Sequence, residues 1–502
     1  MTTTATFDRR VSFTLEERLL LGAITYFLLL RLVYVCFAFP VADETYYWLW
    51  GRHLALSYYD HPPLQGWLQG LSYMLFGRSL LALRWMTIAA LAGVFWLFSL
   101  VAKRVAGEDW RPMFLRSATV YLGSPLFGFF STIAFHDYLL VLLVMASGYY
   151  FIRAFASFEE RGDLPRSDLF IAAILLGLAG LTKYNGAFLG LAVAGVVVVR
   201  PQLRPLLLRW ELYVAAVIAI AIQTPVIVWN VQEGFASFLF QMGTRHGEAG
   251  GPPVYSIAGM KAFAGEALLM VSPFMVPIII LFFWGRQRDV FERIGKTIAI
   301  WTFWISTLTC LYVASFSWVI WWWNIVAYVL ILPFSGRYAR GWLLGLHVAW
   351  GAIVNTVLTA SYAVVPVAVL FGAPPGMETE RSYAVEELVA AVEQAKAQKG
   401  ADFIASNHYI VASQIAFVLD NPDIVALTGR HYAFDDWFDP ETRRGQSAIV
   451  VVEPNTETEA WRRFFTSVTD LGEFRATRFG YPINTYRLFF AEGFLPPNAP
   501  QP

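Results

Sequence analysis

A helix needs roughly 20 apolar residues to cross a bilayer, and runs approaching that length recur along most of this chain. Composition agrees with them. Of 502 residues, 57% are apolar and only 15% charged, and mean hydropathy is +0.51. A soluble protein of this length needs far more polar surface to cover its core. The expected fold class is a polytopic α-helical membrane protein. A net charge of zero argues against a nucleic-acid partner. Cys36 and Cys310 lie in apolar stretches and read as small core hydrophobes.

Length and flanking charge predict about eleven spans. They fall near residues 18–40, 80–102, 113–131, 136–154, 168–182, 185–200, 211–230, 262–284, 297–314, 318–336 and 341–370. The first run, Leu19 to Pro40, is too long for a signal-peptide core, and Pro40-Val41-Ala42 is a poor cleavage site, so it reads as a permanent helix. Basic residues gather on one side, including Arg9, Arg10, Lys103, Arg104, Arg111, Arg200, Arg204, Arg286, Arg293 and Arg337. The other side holds few: Arg52, Arg78, Lys183, Arg245 and Lys261. The positive-inside rule then puts the N-terminus in the cytoplasm and Asp43, Asp60, Asp137 and the 231–261 loop outside. An odd span count sends the C-terminal part outside as well.

That part differs in composition. Residues 1–372 form the expected transmembrane domain, with 40–79 as its first outer loop, and 373–502 a small extracytoplasmic α/β domain. Ala373-Pro374-Pro375-Gly376 reads as the linker. Tyr383–Gln398 and Ile410–Leu419 have helical spacing, and Phe403–Ser406 and Ala448–Val452 read as buried strands. Within the first outer loop, Trp48 to Leu56 and Leu64 to Leu75 read as two amphipathic helices lying in the membrane interface.

Asp43-Glu44 sits where the first span ends. A carboxylate near hydrocarbon loses its charge or finds a partner, so the pair is a candidate for proton or cation chemistry. The competing reading is a helix start, with Asp43 as N-cap and Glu44 favourable to the dipole. Phe135-His136-Asp137 stands on the same outer face. Two carboxylates from different helix ends can converge on one cavity, which suits general-base work on a hydroxyl. In Tyr58-Tyr59-Asp60-His61-Pro62-Pro63 the prolines fix a turn. His61 there is placed to meet an anionic group. Lys183, in Thr182-Lys183-Tyr184-Asn185, either meets an anionic head group or snorkels. The glycine-flanked Arg245-His246 cluster belongs to an outer loop able to close over a phosphate. Trp318 to Trp323 reads as an aromatic belt, and Tyr328, inside a span, needs a hydrogen-bond partner.

There is no Walker loop and no G-x-G-x-x-G before a strand, so nothing points to a nucleotide. A donor delivered within the membrane fits better: a sugar on a polyprenyl phosphate. The rival class is a transporter or flippase of lipid-linked sugars, whose signature is internal repeats and polar groups at the bilayer midplane.

Asp43-Glu44, the Pro62-Pro63-Leu64 turn and Asp137 after the third span together resemble family 39 glycosyltransferases, most strongly over residues 42–85. Leu181-Thr182-Lys183, Trp229-Asn230, Tyr328-Val329-Leu330 and Ser406-Asn407-His408-Tyr409 extend the likeness. The resemblance implies the GT-C fold and transfer, with inversion, of a sugar from polyprenyl phosphate to a hydroxyl of an envelope glycolipid such as lipid A, a polysaccharide or a protein. It implies an inner-membrane protein with its site on the extracytoplasmic side. Asp43 corresponds to the catalytic carboxylate and general base, with Glu44 beside it, and Asp137 to a second acidic position. His61, Lys183, Arg245, His246 and Tyr328 are the expected donor-phosphate ligands. Asp60 and His246 are candidate ligands of a divalent metal ion. Asp60-His61 stands where the lipid A enzymes carry Glu-Lys, which removes a permanent positive charge.

Overall fold

The computed structural model describes residues 13–244, 255–372, 378–453 and 459–496. Among these, five helices are long and apolar enough to cross a membrane, or up to seven if each of two bent pairs is one span. Helix α1 (Leu15–Phe37) opens with a capping box in which Thr14 and Glu17 satisfy each other's backbone N–H. Helices α2 (Ala42–Arg52) and α3 (Leu64–Phe76) fill the first loop. Helix α4 (Leu80–Ala106) folds back on α5 (Trp110–Gly123), with Phe98 edge-on to Tyr121 at 5.8 Å. The helices Asp137–Arg161 and Arg166–Thr182 form a second hairpin, turned by Gly162 in the left-handed region and restarted after Pro165.

Several expected spans are broken. The 262–284 run bends by 92° between Ile257–Val271 and Met275–Trp284, and the 211–230 run by 48° before Thr224–Gln232. The 318–336 run is three short pieces: Trp321–Asn324, Val326–Val329 and Leu332–Ser335. Residues 113–131 stop as α5 at Gly123, before Pro125. Each of these runs has a proline in or beside one of its breaks: Pro225, Pro273, Pro333 and Pro125. A proline removes one helical hydrogen bond and crowds the preceding turn. Such breaks persist in hydrocarbon where neighbouring protein re-satisfies the backbone. Apolar length therefore reported where helices lie better than where they break.

Ion pairs knit the loops that carry the clustered basic residues. Arg104 meets Asp289 at 2.5 Å, Arg200 meets Glu159 at 2.8 Å, and Arg293 shares that Glu159 at 3.2 Å. The other end of the bundle carries α2, α3 and the C-terminal domain. There α3 turns Leu71, Met74, Leu75 and Phe76 outward, as an interfacial helix does. Helix α2 does not match that expectation. Tyr46, Tyr47, Trp48, Leu49 and Trp50 are all buried, Tyr46 and Trp48 against the C-terminal domain and Tyr47 and Trp50 against His136 and the Tyr58 turn. Trp48 packs edge-on to Phe417 of that domain at 5.2 Å.

The C-terminal domain holds the helices Val385–Lys399 and Tyr409–Leu419 and five strands: β1 (Phe403–Ser406), β2 (Val425–Ala426), β3 (Ala448–Val452), β4 (Phe465–Arg478) and β5 (Tyr481–Phe494). The sheet order is β2-β1-β3-β5-β4. The pairs β1–β2 and β1–β3 are parallel, and β3–β5 and β4–β5 antiparallel. The β4–β5 hairpin is absent from the sequence reading because most of β4 is not buried and carries little apolar alternation. Its turn puts Phe479 and Gly480 at positive φ, the twist a tight hairpin needs. The domain is tied to the loop helices by Arg52–Asp420 at 2.7 Å and by His53 stacked on Trp437 at 4.5 Å. The expected linker 373–376 lies outside the described residues.

Candidate active site

Pro40 closes the α1 segment and α2 begins two residues later, which puts Asp43 and Glu44 in one first turn. They face different ways. Glu44 is fully buried. Arg84 of α4 grips it through two bonds of 2.9 and 2.6 Å. It also accepts from the Ala134 and Val41 amides, at 2.8 and 3.0 Å, and from the Tyr34 hydroxyl at 3.3 Å. Five donors on one carboxylate bind α1, α2, α4 and the 134 turn into a unit. Glu44 is thus engaged in the scaffold, and it does not line the cavity that Asp43 lines.

That cavity, of about 680 Å³, lies between α2, the Asp60 turn, the 318–322 segment and the C-terminal domain. Asp43, Asp60, His61 and Glu266 line it from the bundle, and Arg381, His408, Tyr409, Arg430 and Tyr432 from the domain. Tyr409 donates its hydroxyl to Asp43 Oδ1 at 3.0 Å. Burial, and then the Asp43 carboxylate, raise that hydroxyl well above the usual phenol range, so it remains a donor.

The Asp60 turn is packed on α2 by Tyr58, whose ring stacks on Trp50 at 4.2 Å and whose hydroxyl donates to the Trp50 carbonyl at 2.8 Å. Asp60 Oδ2 accepts from Tyr46 at 2.7 Å, and Oδ1 faces the Arg430 guanidinium at 3.4 Å. Tyr46 accepts in turn from the Ala433 amide at 3.0 Å. Arg430 itself lies over the rings of Phe240 and Tyr432, at 4.7 and 4.6 Å. A divalent cation prefers several oxygen or imidazole ligands. Among the described residues no group of three or more such side chains gathers, and a guanidinium already opposes Asp60. His246 and Arg245 lie outside the described residues.

A second cavity, of about 360 Å³, is largely apolar, with Phe188, Phe238, Met242, Cys310 and Val313 in its walls. Lys183 and His61 line it too, and His61 is common to both cavities. Lys183 donates to both oxygens of Asp137, at 2.8 and 3.2 Å, and both side chains are buried. The hairpin explains the pair. Asp137 is the first residue of one helix and Lys183 follows the last residue of its antiparallel neighbour. Each charge therefore complements the helix end it occupies.

Asp43 and Asp137 do not line one cavity, against the sequence expectation. A buried carboxylate needs a partner, and Lys183 supplies it. The two halves connect through rings instead. Tyr47 packs edge-on to His136 at 4.2 Å, and His136 lies 4.5 Å from His61. Tyr328 lines neither cavity. It accepts from Asn324 at 3.3 Å, behind the wall to which Cys310 belongs.

Residues 60–229 match the family model described as dolichyl-phosphate-mannose-protein mannosyltransferase. The match includes Asp60, His61, Asp137 and Lys183 and begins after Asp43. The structure is similar to that of ArnT from Cupriavidus metallidurans bound to undecaprenyl phosphate, with a TM-score of 0.61 at 15% identity, over 94% of this chain and 98% of that one. The apo form of the same protein gives a TM-score of 0.59 at 14% identity, over 95% and 98%. The chain shares the fold of that structure, and residues 60–229 resemble the family in sequence. The oligosaccharyltransferase of Archaeoglobus fulgidus, in the apo form, is also similar, with a TM-score of 0.47 at 12% identity, over 94% of this chain and 75% of that one. No curated protein sequence matches the chain significantly.

Sequence reasoning about this protein missed Arg84, Arg381, Arg430 and Tyr432. A lone arginine inside an apolar helix was a usable signal, since such a charge either pairs or functions. Nothing local in the sequence brings residues beyond 380 to Asp43.

Proposed function

We propose that this protein transfers a sugar from a polyprenyl phosphate to a hydroxyl of a cell-envelope acceptor, with Asp43 as general base. One observation carries the reading. Asp43 lines a cavity that shares His61 with a second, mostly apolar cavity containing Lys183. A lipid-linked donor enters the apolar side and the acceptor the Asp43 side. The acceptor oxygen bonds to the anomeric carbon from one face while Asp43 takes its proton. The carbon–oxygen bond to the phosphate breaks on the other face, and the electron pair leaves on polyprenyl phosphate, which inverts the centre. Lys183 and His61 stand where that charge develops, the usual electrostatic device. Asp137 acts through Lys183, as a positioning residue.

The site occupies the end of the bundle that carries the C-terminal domain. This supports a transferase over a carrier, which needs its polar groups at the midplane. By the charge distribution of the loops, that end is extracytoplasmic in an inner-membrane protein with a cytoplasmic N-terminus. The test is Asp43→Asn in purified, folded protein given a panel of undecaprenyl-phosphate sugars. Transfer is expected to fall by roughly 10²–10⁴-fold, the range for loss of a general base. Wild-type transfer by that variant removes Asp43 from the chemistry.

A further inference from the structure

We propose that the hydroxyl presented to Asp43 belongs to an uncharged sugar ring, held between the tryptophans of the 318–322 segment and the Tyr409–Tyr432 pair of the C-terminal domain. This rests on the transferase reading above and narrows its acceptor to a neutral glycan.

A pyranose has apolar C–H faces and a rim of hydroxyls. It needs flat aromatic surfaces and a few acceptors at their edge. The ring face of an aromatic side chain is electron-rich and attracts such hydrogens. The cavity offers these platforms already braced. Tyr409 and Tyr432 are stacked, with centroids 4.3 Å apart and planes 20° from parallel, and Arg430 lies over Tyr432 at 4.6 Å, so Tyr432 braces Tyr409 and leaves the platform to it. On the bundle side Trp322 stacks on Phe130 at 5.0 Å, and Trp321 stands edge-on to Trp322 at 4.9 Å. The Asp43 carboxylate, which accepts hydroxyl hydrogens, lies in the same lining.

Charge distinguishes a neutral sugar from a phosphorylated or acidic one. Each arginine in the lining already faces a carboxylate: Arg430 meets Asp60 at 3.4 Å and Arg381 meets Glu453 at 2.9 Å. Burial pushes His408 down to about 4, so it adds no positive charge at neutral pH. Asp43 and Glu266 add negative charge. Among the described residues there is no cation surplus to recognise an anion.

Shape distinguishes a sugar from a peptide. A cavity of about 680 Å³ is of small-molecule size. An extended peptide docks on a long sheet edge or in an open groove. The edge strand that leads to Arg430 and Tyr432 is β2, two residues long.

The experiment uses the full chain in detergent, applied to a broad array of neutral and acidic glycans and to Ser/Thr-rich peptides, beside Trp318→Leu and Trp322→Leu. Selective binding of neutral glycans is expected, weakened about tenfold or more in each variant, the loss expected of one stacking partner. Selection of acidic glycans or peptides, binding unchanged in both variants, or no glycan bound each overturns the proposal. Undecaprenyl phosphate binding, measured on the same preparations, separates the two readings. If it binds without selective glycan binding, only the neutral-sugar acceptor falls. If it does not bind, the transferase reading falls and takes this inference with it.

Discussion

Tyr409 donates its hydroxyl to Asp43 across 3.0 Å, joining residues 366 positions apart in the chain. The bond crosses from the C-terminal domain to the first turn of α2. It makes the domain a wall of the cavity rather than an appendage. Arg430 repeats the pattern on Asp60. Both carboxylates that line the cavity from the first loop are held by the same C-terminal domain.

Tyr409→Phe keeps the ring stack on Tyr432 and removes only the donor. A hydrogen bond to a carboxylate favours its charged form, and one to a charged group is worth roughly 1.5–3 kcal/mol. Losing it strengthens the hold of Asp43 on a proton. The acid limb of the pH–rate profile is expected to move to higher pH by about one unit or more, since one unit corresponds to ~1.4 kcal/mol. A profile that superimposes on wild type removes Tyr409 from the surroundings of the base.

Glu44→Ala is expected to fail through folding rather than chemistry. It leaves the Arg84 guanidinium buried without its carboxylate. Breaking such a pair from one side costs roughly 3–5 kcal/mol. The measurement is the melting temperature and yield of membrane-inserted protein, compared with Asp43→Asn. A stable Glu44→Ala protein lacking transfer would instead place Glu44 in the reaction.

The Asp137–Lys183 pair separates structure from function. Lys183→Met alone strands a buried carboxylate, again at roughly 3–5 kcal/mol. Replacing both members, as Asp137→Leu with Lys183→Met, removes the stranded charge and is expected to recover most of the stability. It does not restore the cation proposed to face the donor. The double variant is therefore expected to melt near wild type while binding undecaprenyl phosphate weakly. Wild-type affinity for that lipid in the double variant contradicts a phosphate role for Lys183.

Much of this was legible in the chain. The helix ends bearing Asp43, Asp137 and Lys183 follow from apolar runs and the polar residues that interrupt them. Which of Asp43 and Glu44 faces the cavity was not. Adjacent residues on a helix point about 100° apart, and only the position of Arg84 decides between them. The pairing of Asp137 with Lys183 needs the hairpin, which periodicity does not state. The broken spans were written in Pro273 and Pro333, but hydropathy outweighs a single proline in any window average. The domain's contribution to the cavity depends on docking of distant segments and has no local signature.

His408 predicts a pH effect on stability. Burial, and then the nearby Arg381 charge, lower it from an ordinary 6.5 to about 4. Between those values the unfolded chain binds a proton that the native protein refuses. Stability therefore falls as pH drops from about 6.5 to about 4. In His408→Gln this contribution is absent. The variant's melting temperature is expected to decline less steeply than wild type through that window. Parallel curves for the two proteins would contradict it.

Gly351 and Gly123 test how the bundle closes behind the site. The helix Gly341–Ala363 crosses α5 at this point, and a Cβ on Gly351 would overlap the Gly123 carbonyl. His347, one turn earlier, bridges the same crossing through Ser272 at 3.1 Å and the Val120 carbonyl at 3.0 Å. Small residues let backbones in a membrane approach this closely. Gly351→Ala pushes against backbone, which cannot rotate away, and overpacking of this kind costs roughly 1–3 kcal/mol. Gly345 lies on the same helix with nothing within 4 Å of a would-be Cβ. There an alanine gains up to about 1 kcal/mol of helix propensity. Thermal melts of the two variants are expected to move in opposite directions, Gly351→Ala down and Gly345→Ala level or up. A Gly351→Ala protein as stable as Gly345→Ala would mean that the two helices do not cross at this contact.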